Sequence, residues 1–232
     1  MLAVSGCAPS RHAPETPDQT IGLFTSLPIL WDEAGDIRGL LRSDAPEHWA
    51  LAALRSQGKI RALNTLAGDP PPLASIGLLI LAQPRALSPQ ENVALDDWVR
   101  RGGRALVFAD PLLTADSRFA LGDKRRPQDI VLLSPILARW GLRLEFDEAQ
   151  PPGQRELPLL GGMLPVNMAG RLALAESDST CRLLAQGIAA QCRIGRGAVL
   201  IIADAALFEA GQGEAEARRD LLKVLVETAR GD

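Results

Sequence analysis

The chain has 232 residues, of which 47% are hydrophobic and only 4% aromatic, with no tyrosine and a formal net charge of −3. That is enough apolar material for a large Leu, Ala, Val and Ile core, and too much for a disordered chain. The slight negative charge supplies no field for DNA or RNA, and the scarcity of aromatics argues against a stacking platform for single strands, so no nucleic-acid partner is expected.

From residue 20 onward, short apolar runs alternate with amphipathic ones. Thr20 to Phe24 reads as a first strand. Pro46 to Gln57 reads as a helix, with Pro46 in its first turn and Gly58 just past its end. Ile60 to Asn64 is a second strand, and Gly68-Asp69-Pro70-Pro71-Pro72 is a rigid loop. Ile76 to Ala82 is apolar throughout, the mark of a strand buried on both faces. Ser88-Pro89-Gln90-Glu91 is a capping box with Pro at the first helical position. Val93, Leu95, Trp98 and Val99 then form the apolar face of the helix, and Gly102-Gly103 stops it. Arg104 to Ala109 is another apolar strand, ending at Asp110-Pro111. Strand, capped helix, Gly-Gly and strand make a βαβ unit, whose crossover is right-handed.

A further helix is expected from about Asp129 to Trp140, and Leu142 to Phe146 is expected to continue the sheet. Trp98 and Trp140 lie on apolar helix faces and read as core. Gln150 to Gly170 shows no clear period, and residues 171 to 194 look antiparallel. Ala198 to Ala203 is a last buried strand. Glu214 to Arg230 is a closing helix, with Leu221, Leu222, Leu225 and Val226 inward. The expected fold is therefore α/β. It is a doubly wound, mostly parallel sheet with a late antiparallel β extension, over residues 20–232, preceded by a leader remnant and tether at residues 1–19.

Cys181 and Cys192 flank a hairpin. With Gln186-Gly187 as a two-residue turn, Ala185 pairs with Ile188, and counting outward sets Cys181 opposite Cys192. Opposed residues lie about 4.5–5.5 Å apart at Cα, within reach of a disulfide. The alternative is two buried free thiols.

Two resemblances add to this. Val4-Ser5-Gly6-Cys7 resembles the lipobox of bacterial lipoproteins: an apolar residue, two small ones, then Cys. That likeness implies cleavage before Cys7, lipidation of its thiol, and anchoring of the protein to a cell-envelope membrane. The Pro-, Ser- and Thr-containing segment from Ala8 to Gln19 would be the tether. Six residues precede Cys7, with neither a basic segment nor a full apolar one, so a chance match and a cytoplasmic interaction domain stay open. Separately, Leu78 to Pro111, "LLILAQPRALSPQENVALDDWVRRGGRALVFADP", resembles auxiliary components of ABC-type transport systems of the gliding-motility kind, and related bacterial domains of unknown function. A looser likeness covers Gly195 to Phe208. The resemblance implies a class I glutamine amidotransferase-like, flavodoxin-like fold, with transporter subunits as partners.

An amidotransferase would need a Cys on a Gly-flanked elbow and a His-x-Glu partner, so that the His can lower the thiol pKa. The histidines are His12 and His48, and neither Cys181 nor Cys192 has elbow glycines. No Gly-x-Ser-x-Gly and no Walker motif occurs, and Gly195-Arg196-Gly197 precedes its strand instead of following one. Two distant histidines without Cys-x-x-Cys exclude a zinc site of usual spacing. An all-oxygen metal site at Asp110 and Asp204 competes with simple turn capping by the same two residues. No metal or cofactor is expected. Lys124-Arg125-Arg126, beside Asp123 and Asp129, reads as a solvated loop and not a polyanion site.

The expectation is therefore a non-catalytic accessory or recognition component of an envelope ABC-type transport or assembly system. The rival is a small-molecule binder or hydrolase. It would use Thr25, Ser26, Gln83, Asp110 and Asp204 at the carboxyl ends of the strands, where doubly wound sheets hold ligands. Pro84, Trp31 and Glu47-His48-Trp49 would flank such a site.

Overall fold

A computed structural model describes residues 19–30, 47–175, 180–209 and 215–231. Five parallel strands form the heart of a seven-stranded sheet: β1 (Thr20–Thr25), β2 (Lys59–Ala62), β3 (Leu78–Ala82), β4 (Arg104–Phe108) and β11 (Gly197–Ile202). Their spatial order is β2-β1-β3-β4-β11, the flavodoxin-like order of a doubly wound sheet. Two antiparallel strands, β10 (Ala189–Ile194) and then β9 (Cys181–Leu184), extend the sheet beyond β11.

The all-apolar run of β3 has a direct cause. Leu78, Ile80 and Ala82 face one layer of helices, while Leu79 and Leu81 face the other, and all five are fully buried. The first layer holds α1 (Trp49–Arg55) and α4 (Ala215–Arg230), and the second holds α2 (Pro89–Arg100) and α3 (Ser134–Arg139). Helix α2 starts as its sequence dictates. The Ser88 hydroxyl accepts the Glu91 N–H at 3.2 Å, and the Glu91 carboxylate accepts the Ser88 N–H at 2.9 Å. The same carboxylate accepts the Leu66 N–H and two Arg85 N–H groups, which pins the loop after β2 to the cap.

Gly197 opens β11 where two backbones converge. A Cβ there would lie inside van der Waals contact of the Val99 and Gly103 carbonyl oxygens. Backbone cannot rotate away as a side chain does. Gly197→Ala should therefore cost about 2–3 kcal/mol in urea unfolding, and a loss under about 0.5 kcal/mol would contradict this close approach.

The remaining strands depart from expectation. Leu142 to Phe146 does not continue the sheet. Instead β5 (Leu142–Glu145) pairs antiparallel with β8 (Arg171–Leu174) in a separate two-stranded sheet. The aperiodic stretch contains a hairpin, β6 (Arg155–Leu159) and β7 (Gly162–Val166), whose Leu159, Leu164 and Val166 join the core under α4. Helix α3 begins at Ser134, later than Asp129, because residues 110 to 131 are tied into the strand-end loops. Trp140 is core as expected, but Trp98 is half-buried, and its indole lies flat on Gly103. His48 starts α1, its Nδ1 accepting the Ala50 N–H at 3.2 Å, while Pro46 falls outside the described residues.

The Cys register is as counted from the turn. The Ile188 N–H donates to the Ala185 carbonyl across Gln186 and Gly187, both at positive φ, the primed turn of tight hairpins. Cys181 then faces Cys192 with Cα atoms 4.0 Å apart, and the two form a disulfide.

Candidate functional site

Strand order reverses at β1, which has β2 on one side and β3 on the other. In such sheets the crevice for a ligand opens outside the carboxyl ends at this point. Here the gap is closed by side chains bonded to backbone. The Thr25 hydroxyl donates to the Ala82 carbonyl at 2.7 Å and accepts the Leu27 N–H at 2.9 Å. The Ser26 hydroxyl donates to the Gln83 carbonyl at 2.5 Å and accepts the Gln128 N–H at 3.0 Å. Gln83 itself is fully buried, with φ at 43°. Its Nε2 donates to the carbonyls of Asp110 (3.0 Å) and Gln128 (2.8 Å), and its Oε1 accepts the Asp110 N–H at 2.9 Å. The side chain thus acts as an extra rung from the end of β3 to the end of β4.

The two acids lie one strand further along, at the ends of the neighbouring strands β4 and β11. Asp110 is fully buried, and its oxygens accept the N–H groups of Leu112 (2.8 Å) and Ala205 (3.2 Å). Asp204 is 1% exposed and accepts from Ala206 (2.6 Å) and Asn167 (2.9 Å). Burial pushes the Asp110 carboxyl up to about 7, against the backbone bonds that favour its charged form. Burial, and then the nearby charge of Asp110, push Asp204 well above the ordinary carboxylate range. Among the described residues, no group of three or more His, Cys, Asp or Glu side chains converges to hold a metal ion.

The structure thus gathers Thr25, Ser26, Gln83 and Asp110 into one network, with Asp204 joined to it through the loop at Ala205. Trp49 is buried against Phe208. Trp31 and Cys7 lie outside the described residues. Sequence reasoning missed three partners. Gln128 bridges Ser26 and Gln83 from a distant loop. Glu209, its carboxyl raised by burial, accepts the Thr114 hydroxyl at 3.2 Å. Arg218 is 4% exposed and donates to the Ala206 and Leu207 carbonyls, holding the loop after β11. Arg218 did leave a signal, because it sits three and four residues before Leu221 and Leu222 on the inward stripe of α4.

Two open concavities lie elsewhere. One, of about 820 Å³, runs between α2 and the loop from Leu66 to Ala74, and Trp98 and Val93 form its apolar wall. The other, of about 620 Å³, lies beyond β11, between the β5–β8 sheet and the β6 strand. The basic triplet is a paired loop: Arg125 bonds Asp123 at 2.7 Å and stacks on Phe119, while Arg126 bonds Asp129 at 2.9 Å.

The family model described as "ABC-type uncharacterized transport system" matches residues 18–162, which is more than half of the chain. The chain belongs to this family. Members are auxiliary components of an ABC-type transport system, and the match runs from the start of β1 to the start of β7. No curated protein matches the chain. Among solved structures, the mmIFT52 N-terminal domain is 14% identical at a TM-score of 0.55, covering 92% of this chain and 98% of that one. The exo-β-1,4-mannosidase Op5Man5 from Opitutaceae bacterium strain TAV5 is 14% identical at 0.53, with 89% of this chain matched to 36% of that one, so the chain spans about a third of that enzyme. The cytoplasmic protein STM1381 from Salmonella typhimurium LT2 is 10% identical at 0.50, covering 78% and 86%. Identities this low speak for a shared fold alone.

Proposed function

We propose that this auxiliary component is a non-catalytic recognition domain, held at the outer side of the cytoplasmic membrane by lipid on Cys7, and that it binds the subunits of its ABC-type transporter. The observation that carries the reading is the fate of the strand-end side chains. Thr25, Ser26, Gln83, Asp110 and Asp204 all spend polar atoms on backbone groups. A nucleophile or general base needs a hydrogen bond to a reacting group instead. The Cys181–Cys192 disulfide favours an oxidising compartment, which agrees with an envelope location. The 2-1-3-4-5 strand order supports the amidotransferase-like reading of the scaffold, used here as a platform without its chemistry.

The test uses the chain expressed from its own locus with a carboxyl-terminal tag. An alkyne fatty acid should label the protein, and Cys7→Ala should abolish the label and release the protein from membranes. Capture from detergent-solubilised membranes should enrich an ABC ATPase and its permease. An unlabelled protein in the cytosol overturns the anchor. Enrichment of neither transporter subunit overturns the transport role.

A further inference from the structure

The open concavity beyond β11 sits on the carboxyl edge of the sheet. The Gly170 N–H donates to the Ala203 carbonyl at 2.8 Å, and the Ala203 N–H donates to the Ile188 carbonyl at 2.8 Å. Gly170 and Ile188 both line the concavity, so its floor is stitched to the end of β11. The edge that is filled at the strand-order reversal is therefore open here. Its volume, about 620 Å³, falls in the range of small-molecule sites.

The polar groups of this site are already positioned. Gln150 Nε2 donates to the Ala169 carbonyl at 2.9 Å and the Asp147 carbonyl at 3.0 Å, which fixes the amide. Its Oε1 then accepts one N–H of Arg155 at 3.1 Å. A guanidinium has five N–H donors in a fixed fork, so most of the fork stays available, and it suits a carboxylate bound bidentately. The other charges here are matched among themselves. Arg171 bonds Glu145 at 3.0 Å, and Asp147 accepts the Ala149 N–H at 2.9 Å. Leu157, Ile188 and Phe146 supply an apolar wall.

We infer that this concavity binds a small carboxylate with an apolar body, its charge held by Arg155 and its body lying against Leu157, Ile188 and Phe146. The inference is independent of the envelope and transport reading. It does not use the strand-end network.

N-acetyl-L-leucine is the probe, titrated into the full chain with backbone amide shifts as the readout. Saturable shifts are expected at Phe146, Gln150, Gly170 and Ile188. Arg155→Gln should weaken binding at least tenfold with the fold intact, and Gln150→Ala should weaken it less, by freeing the guanidinium. Arg61→Gln, remote from the site, should change nothing. N-acetyl-L-leucine amide, which lacks the charge, and acetate, which lacks the body, should each bind at least tenfold more weakly. The inference is overturned if no saturable shifts arise at these residues. It is also overturned if Arg155→Gln binds as the parent does, or if the amide or acetate matches the acid.

Discussion

Gln83→Leu should lower the stability of the protein by about 3 kcal/mol, the largest loss expected from a single polar side chain here. The substitution removes three hydrogen bonds and leaves the buried Asp110 N–H without its acceptor. An orphaned buried donor costs about 1–3 kcal/mol, and each lost neutral bond about another 1 kcal/mol. The left-handed backbone at φ 43° burdens Gln and Leu alike, so it does not enter the difference. The Asp110 carbonyl keeps the Val131 N–H at 3.1 Å, which caps the loss. For a chain of this size the melting temperature should fall by roughly 6–12 °C. A fall of about 2 °C or less would show that the rung from β3 to β4 is dispensable.

Stability should also rise on mild acidification, against the usual trend. Asp110 titrates at about 7 when folded and at 3.8 when unfolded, and Asp204 and Glu209 are displaced upward as well, all three chiefly by burial. Between those limits the native state holds protons that the unfolded chain has released. Stability contributed by these groups is full below about pH 4 and declines as pH rises through 7. Each proton held by the native state alone is worth about 1.4 kcal/mol per pH unit, so the decline from pH 5 to pH 8 should be on the order of 3 kcal/mol. Two other acids set the lower limit. The Arg85 hydrogen bond holds Glu91 at about 2, and Asp96 lies low because bonds from Arg100, Arg139 and Trp140 outweigh its burial. Their contribution is present above their unfolded values and is lost as pH falls towards 2. Urea unfolding across pH should therefore give a maximum near pH 5. Asp110→Asn should flatten the limb between pH 5 and 8. A flat or rising limb in the parent protein would show that the two aspartates are charged throughout.

How much of this could be read from the chain depended on whether the signal was local. The βαβ unit was legible because Ser88, Pro89, Glu91 and Gly103 each mark a boundary by their own chemistry. The Cys181–Cys192 pairing was legible because a two-residue turn fixes every register outward from it. The hairpin of β6 and β7 was hidden. Its turn is Leu160-Gly161, both at positive φ, without the Asn or Asp that advertises such a turn, and Pro158 and Pro165 read as breakers inside its strands. The run Leu142 to Glu145 looks like any short strand, and nothing in it says that its partner is β8. The strand-end residues were legible by position, since each follows an apolar run. Gln128 and Glu209 were not, because loop contacts across a hundred residues leave no period.

The placement of the disulfide has one more consequence. Strand β9 is the outermost ribbon on its side of the sheet, and an outer ribbon can be traded for one from a neighbouring molecule. The bridge to β10 forbids that exchange, because β9 cannot leave without taking β10 with it. On the opposite border β2 carries Lys59 and Arg61, whose charges discourage a second molecule from pairing there. Crowded together on a membrane, copies of this protein would be protected from fusing border to border, covalently on one side and by charge on the other.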